Sequence, residues 1–187
     1  MKRFRDVLCA AIILVLLSPL FLVIACVIKL TSPGPVTFCQ ERTGYRGKSF
    51  VIFKFRTMQH KSGRLFDIVL PGDIRVTRIG KFLRSTYLDE LPQFVNVLLG
   101  EMSLIGPRPQ PPQTTSFLMA LNPPYHLCWQ VRPGMTGLGQ LRGRLWMLDH
   151  IEEAIFAEIG YACGHSPKTD YQILFETCLV ILKKQGI

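Results

Sequence analysis

VLCAAIILVLLSPLFLVIACVIKL, residues Val7–Leu30, is apolar at nearly every position and carries Ser18-Pro19 near its middle. A bilayer's hydrocarbon core needs roughly 20 apolar helical residues, and this run is long enough. Proline removes a backbone donor and clashes with the preceding turn, so the helix bends there. Lys2, Arg3 and Arg5 precede the run and Lys29, Arg42, Arg46 and Lys48 follow it, so basic residues set no inside and outside. A helix that enters one leaflet, turns at Ser18-Pro19 and leaves on the same side satisfies both facts. The Ser18 hydroxyl would then satisfy a carbonyl freed by the proline, as buried backbone in lipid requires. A kinked single span stays open as the alternative, because proline occurs in spanning helices. A secretory signal fits less well, since the residues after Val23-Ile24-Ala25-Cys26 stay apolar.

Outward from this segment, the 187-residue chain is long enough for one domain with its own core. Its mean hydropathy is positive although its net charge is +9, of which residues 1–34 hold +3, so the basicity is not confined to one tail. Anionic partners follow: nucleic acid, anionic lipid or phosphorylated small molecules. The six cysteines form no CxxC pair and two lie in the apolar run, which argues against a disulfide framework and for a reducing compartment. The four histidines are isolated and suggest no metal site.

Thr31-Ser32-Pro33-Gly34-Pro35 cannot continue the helix. Val36–Gln40 and Phe50–Arg56 read as strands of a hairpin around Thr43–Lys48. Lys54 and Arg56 fall on one face of the second strand, Phe53 and Phe55 on the other. Two cations aimed at phosphate would look this way, and so would a solvated face over a core, which is commoner. His60–Pro71 reads as a loop. A helix from Arg78 would bring Arg78, Lys81 and Arg84 near one side, facing headgroups or solvent.

Arg84-Ser85-Thr86-Tyr87-Leu88-Asp89-Glu90-Leu91-Pro92-Gln93 holds two adjacent acids, which repel unless a cation, a metal or a helix N-terminus absorbs their charge. Thr86 and Asp89 have capping-box spacing before an apolar run that Gly100 would end, which puts both acids in a first helical turn. Taken alone, they are ordinary partners of a helix dipole; the alternative is a carboxylate nucleophile with its metal partner. Arg108 stands between Pro107 and Pro109 and so projects from a stiff backbone. Pro111–Leu121 reads as a turn and a short interfacial amphipathic stretch. Arg132–Gln140 packs glycines around Thr136, either as a phosphate cradle or as a tight glycine turn. Ile151–Ala162 and Tyr171–Lys184 read as amphipathic helices that support the core.

Six stretches then occur in a recognisable order: Pro33-Gly34-Pro35-Val36, Phe53-Lys54-Phe55-Arg56-Thr57-Met58, Arg75-Val76-Thr77-Arg78-Ile79-Gly80, Leu88-Asp89-Glu90-Leu91-Pro92-Gln93, Ser103-Leu104-Ile105-Gly106-Pro107-Arg108-Pro109 and Arg132-Pro133-Gly134-Met135-Thr136-Gly137. In this the chain resembles, over almost its whole length, the bacterial sugar transferases called monotopic phosphoglycosyl transferases, in their small form. The resemblance implies an enzyme of the bacterial inner membrane, facing the cytoplasm. Such an enzyme moves sugar-1-phosphate from a UDP-sugar to polyprenyl phosphate and releases UMP. It implies Asp89 as nucleophile, Glu90 as a ligand of magnesium (Mg2+) with Asp89 beside it, and a re-entrant helix broken at Ser18-Pro19. Arg84, Arg108 and Arg132 match the family's arginines and would contact donor or lipid phosphate, with Lys54, Arg56, Thr136 and Gly137 as weaker candidates. Gly139, Leu145 and the stretch Cys163–Lys168 depart from the family's usual pattern, which bears on sugar recognition and C-terminal packing.

The expected architecture is mainly α with a small β-hairpin: a monotopic membrane protein with a re-entrant helix over 1–32, a catalytic domain over 33–187 and interfacial amphipathic helices. No nucleic acid is expected as a partner, and a homodimer is left open. The rival reading, a basic membrane-anchored adaptor or nucleic-acid-binding protein in which Asp89 and Glu90 merely cap a helix, explains the charge but not the ordered motifs. A multi-span transferase would need more than the one segment long enough to cross.

Overall fold

Proline at position 19 breaks the apolar segment into α1 (Lys2–Leu16) and α2 (Ser18–Thr31), which meet at 61°. The computed structural model describes residues 2–59, 73–142, 146 and 149–183; the loop expected over His60–Pro71, Leu145 and the terminal Lys184 lie outside them. Pro19 cannot donate to the carbonyl four residues back, and that carbonyl, of Val15, accepts the Ser18 hydroxyl instead at 2.8 Å. No single helix among the described residues is long and apolar enough to cross a membrane, whereas the bent pair together is. This is the shape expected of a re-entrant, monotopic anchor. Ala10, Ile24 and Ile28 face the protein and are buried, while Val15, Leu16, Leu22 and Leu30 are exposed. The outer side of the bend is therefore an apolar surface.

At its start, α1 is tied into the domain by polar contacts. Buried Asp6 accepts the Ser103 hydroxyl at 2.8 Å, and Lys2 donates to the carbonyl of Ile105 and to Asp170.

The hairpin pairs β1 (Thr37–Thr43) with β2 (Ser49–Phe55), register Thr37↔Phe55 to Thr43↔Ser49. Phe50 and Ile52 bury against Ala10, Phe94, Val97 and Met102, which forms one core cluster. Phe55 points the other way, into a second cluster with Ile24, Ile28 and Leu83. The commoner expectation of a solvated face does not hold for Lys54 and Arg56. Arg56 is buried and donates to the carbonyls of Ser32 and Pro33, each at 2.8 Å, which fastens the end of the anchor to the hairpin.

The helix expected from Arg78 is α3 (Arg78–Ser85), capped by the Thr77 side chain, which accepts the Gly80 N–H at 2.9 Å. The expected capping box is overturned. Thr86 ends α3, its hydroxyl donating back to the Phe82 carbonyl at 2.8 Å, so it caps nothing that follows. Tyr87 then takes a left-handed conformation (φ 57°), and a 3-10 turn, Leu88–Glu90, carries the acids ahead of α4 (Gln93–Leu99). Gly100 ends α4 with φ 88°, as its position predicts.

A parallel pair, β3 (Ser103–Ile105) with β4 (Gly134–Thr136), was not apparent from the sequence. It accounts for the glycines around Thr136: a Cβ on Gly134 would lie 2.0 Å from the Gly106 nitrogen, and one on Gly137 2.3 Å from the Gly106 oxygen. Neither a tight turn nor a cradle is needed to explain them. The remaining elements are α5 (Pro112–Leu121), a 3-10 stretch Pro123–Gln130, α6 (Leu138–Leu141), α7 (Ile151–Gly164) and α8 (Pro167–Leu182). On α5, Phe117 and Leu121 are exposed while Leu118 is buried, the amphipathic pattern expected there.

Candidate active site

Thr57, two residues past the end of β2, organises one wall. Its carbonyl accepts the Thr77 N–H at 3.0 Å, and its hydroxyl accepts the Arg84 Nε hydrogen at 2.8 Å. Gly80 allows this approach, because a Cβ there would sit 2.0 Å from the Thr57 oxygen. Helix α3 is thus pressed onto the end of β2, and its last turn presents Arg84 inward.

Asn96 fixes the opposite wall. Fully buried on α4, it accepts the Phe53 N–H at 3.1 Å and donates to the Val51 carbonyl at 2.7 Å and to Glu101 at 2.7 Å. These bonds pair the free edge of β2 with the helix that follows the two acids. Lys54, the residue after Phe53, therefore meets Glu90: its Nζ lies 2.5 Å from Glu90 Oε1. On the same carboxylate oxygen, Arg108 Nη2 approaches to 3.9 Å.

Asp89 is buried beside this pair. Burial, and then the neighbouring Glu90 charge, push its carboxyl up to about 6, while Lys54 and Arg84 act in the opposite direction. Burial likewise lowers the Lys54 ammonium against the Glu90 charge, and it lowers Arg84 against Asp89. Three cations therefore surround two carboxylates, a cluster with net positive charge suited to a phosphorylated ligand. The acids are not caps of α4, so the role that the adaptor reading gave them does not hold.

The structure thus brings together Lys54, Arg84, Asp89, Glu90 and Arg108. It does not bring Arg56, which holds the anchor, or Arg132, which donates to the Gly100 carbonyl at 2.8 Å beyond the far end of α4 and lies over the Tyr45 ring. Thr136 faces Thr177 of α8, hydroxyl to hydroxyl at 2.7 Å, and Gly137 packs on Gly106. Thr57, Asn96 and Glu158, which accepts the Arg108 N–H at 3.0 Å, were not singled out from the sequence. Only Thr57 carried a signal, by its place in the Phe53–Met58 motif.

Among the described residues no group of three or more His, Cys, Asp or Glu side chains could hold a metal ion. The adjacent Asp89 and Glu90 carboxylates are nonetheless hard oxygen donors. One or two carboxylates completed by substrate phosphates is the set that magnesium commonly takes, so the residues fit an ion that arrives with its substrate.

A family model described as bacterial sugar transferase matches residues 1–184. The chain is 44% identical over 181 residues to a UDP-glucose:undecaprenyl-phosphate glucose-1-phosphate transferase of Klebsiella pneumoniae, covering 94% of this chain and 39% of that protein. It is 42% identical to a UDP-N-acetylgalactosamine-undecaprenyl-phosphate N-acetylgalactosaminephosphotransferase of Aeromonas hydrophila, covering 99% and 44%. Against the exopolysaccharide production protein PSS of Rhizobium leguminosarum bv. phaseoli it is 40% identical, covering 95% and 92%. The chain thus spans less than half the length of the first two relatives and nearly all of the third.

Proposed function

Because the chain belongs to the bacterial sugar transferase family, we propose that it moves sugar-1-phosphate from a UDP-sugar to polyprenyl phosphate, through a covalent intermediate on Asp89. The observation that carries this reading is the buried Asp89 carboxylate, next to Glu90 and within the influence of Lys54 and Arg84. In the first step an Asp89 carboxylate oxygen attacks the sugar-bearing phosphorus of the donor. The bond from that phosphorus to the bridging oxygen breaks, and UMP leaves with the oxygen. In the second step a phosphate oxygen of the polyprenyl acceptor attacks the same phosphorus, and Asp89 departs as a carboxylate. The acyl phosphate between them keeps the transfer potential and divides one displacement into two.

Lys54 holds Glu90 in place, and Arg84 and Arg108 offer guanidinium forks to the equatorial phosphate oxygens, where a planar donor pair fits best. Held by Glu90 and Asp89 with the donor's phosphates, magnesium would supply neutralisation of charge on the diphosphate and on the departing UMP. The names of two of these relatives give different sugars, glucose and N-acetylgalactosamine, and the donor class proposed here is the UDP-sugar that those two names share.

Residues 1–32 form, on this reading, an anchor dipping into the cytoplasmic leaflet of the bacterial inner membrane, and residues 33–187 a catalytic domain at its surface. The exposed apolar bend and the buried ties of Lys2 and Asp6 to the domain support it. Tags at the two ends should both be accessible from the cytoplasm; protection of one end would restore a spanning helix. The reaction itself is tested with the protein in nanodiscs containing undecaprenyl phosphate, magnesium and a panel of UDP-sugars. At least one sugar should give sustained UMP release, and release from none of them would refute the proposal.

A further inference from the structure

Pro107-Arg108-Pro109 has a single backbone donor, because neither proline carries an N–H. That donor, the Arg108 N–H, is bound by Glu158 Oε2 of α7 at 3.0 Å. The carbonyl side of the segment is held separately. Pro107 accepts the Gly134 N–H at 2.9 Å, Pro109 accepts Arg42 Nη1 at 3.2 Å, and Gln110 accepts the Thr43 N–H at 2.9 Å. The Pro107 carbonyl and the Arg108 N–H belong to one planar peptide group, so with φ fixed at both prolines Gly134 holds one side of that plane and Glu158 the other, at the point where the Arg108 side chain leaves toward Glu90.

Packing does not call for an acid at position 158. Glu158 is 7% exposed and forms no ion pair among the described residues. Burial pushes it up to about 7, with only the Arg108 N–H and the Arg108 charge opposing. A buried carboxylate with one hydrogen bond is costly relative to an apolar side chain of the same size.

We propose that Glu158 is a positioning residue for Arg108, fixing the backbone from which that guanidinium reaches the Asp89-Glu90 site. The inference rests on the reading of that site as a phosphoglycosyl transfer centre for its catalytic consequence, and on geometry alone for the Glu158–Arg108 link. Two measurements keep these apart. In hydrogen exchange, a peptide spanning Pro107–Pro109 reports the Arg108 amide. Glu158→Leu should speed its exchange roughly tenfold, the worth of one hydrogen bond, while Glu158→Gln, which keeps an acceptor oxygen, should leave it within about twofold of wild type. Glu158→Met serves if the leucine variant does not fold.

In UMP release, Glu158→Leu should lower kcat/KM roughly tenfold or more and Glu158→Gln should restore most of it. In an Arg108→Gln background the same Glu158→Leu change should cost less than about twofold, because it has no guanidinium left to misplace. Unchanged exchange in Glu158→Leu, or an equal loss of kcat/KM in both backgrounds, would overturn the proposal. If wild type releases no UMP from any sugar, the transfer reading has failed, and the exchange result still decides whether Glu158 holds Arg108.

Discussion

Lys54 Nζ and Glu90 Oε1 lie 2.5 Å apart across the gap between β2 and the 3-10 turn, and Lys54 also acts on the neighbouring Asp89. Burial raises the Asp89 carboxyl most, Glu90 raises it further, and Lys54 opposes both. Asp89 is held at about 6 in the free enzyme, and in the proposed mechanism its carboxylate form is the one that attacks, so kcat/KM for UMP release should be level above that pH and fall about tenfold per pH unit below it. Lys54→Met removes a cation that favours the ionised form and should move this acid limb to higher pH. A limb that stays in place or moves down would contradict the electrostatic account.

Asn96→Leu should destabilise the protein by about 3 kcal/mol, because the Phe53 N–H and Val51 carbonyl lose their buried partner. For a chain of this size that is a fall in melting temperature of roughly 6–12 °C. An unchanged melting temperature would mean that β2 is not held by α4.

Two glycines should respond in opposite ways to alanine. At Gly80 the new Cβ meets the Thr57 carbonyl at 2.0 Å, so α3 must shift, at a cost of about 2 kcal/mol, and Arg84 is carried off the Thr57 hydroxyl. At Gly160, exposed in the interior of α7 with nothing within 4 Å, alanine should stabilise by about 0.5–1 kcal/mol. Thermal unfolding of both variants beside wild type measures the contrast, and UMP release should fall only for Gly80→Ala.

Glu158 predicts a pH dependence of stability. Its pKa is raised in the folded protein from 4.5 to about 7, so between those values the folded state binds more protons than the unfolded one. Stability from this group is therefore full below about pH 4.5 and is lost as pH rises through 7, on the order of 3 kcal/mol in all. Glu158→Gln should flatten that slope when melting is followed from pH 5 to 8, and an unchanged slope would assign it to another group.

What the sequence reveals of this fold is what local chemistry dictates. Ser18-Pro19 announces the bend, the alternation around Lys54 gives the hairpin, and Gly100 marks the end of α4. Thr86 misleads, because its hydroxyl has a carbonyl four residues back within reach and takes it in preference to opening a new helix. The pairing of β3 with β4 leaves no periodic trace: each strand is three residues long, and they join across some thirty residues of chain. The site is legible in part for the same reason. Arg84, Asp89 and Glu90 are neighbours in sequence, whereas the uses of Arg56 and Arg132, and the hold of Glu158 on Arg108, depend on contacts across 24, 32 and 50 residues.

The intact mass of the protein after mixing with magnesium and the UDP-sugar that supports turnover, but with no polyprenyl phosphate, tests the central claim most directly. A phosphosugar should add to the chain and map to the peptide containing Asp89, with UMP released in an amount equal to the enzyme, and Asp89→Asn should show neither. Continued turnover by Asp89→Asn, or a phosphosugar carried by another residue, would contradict the assignment.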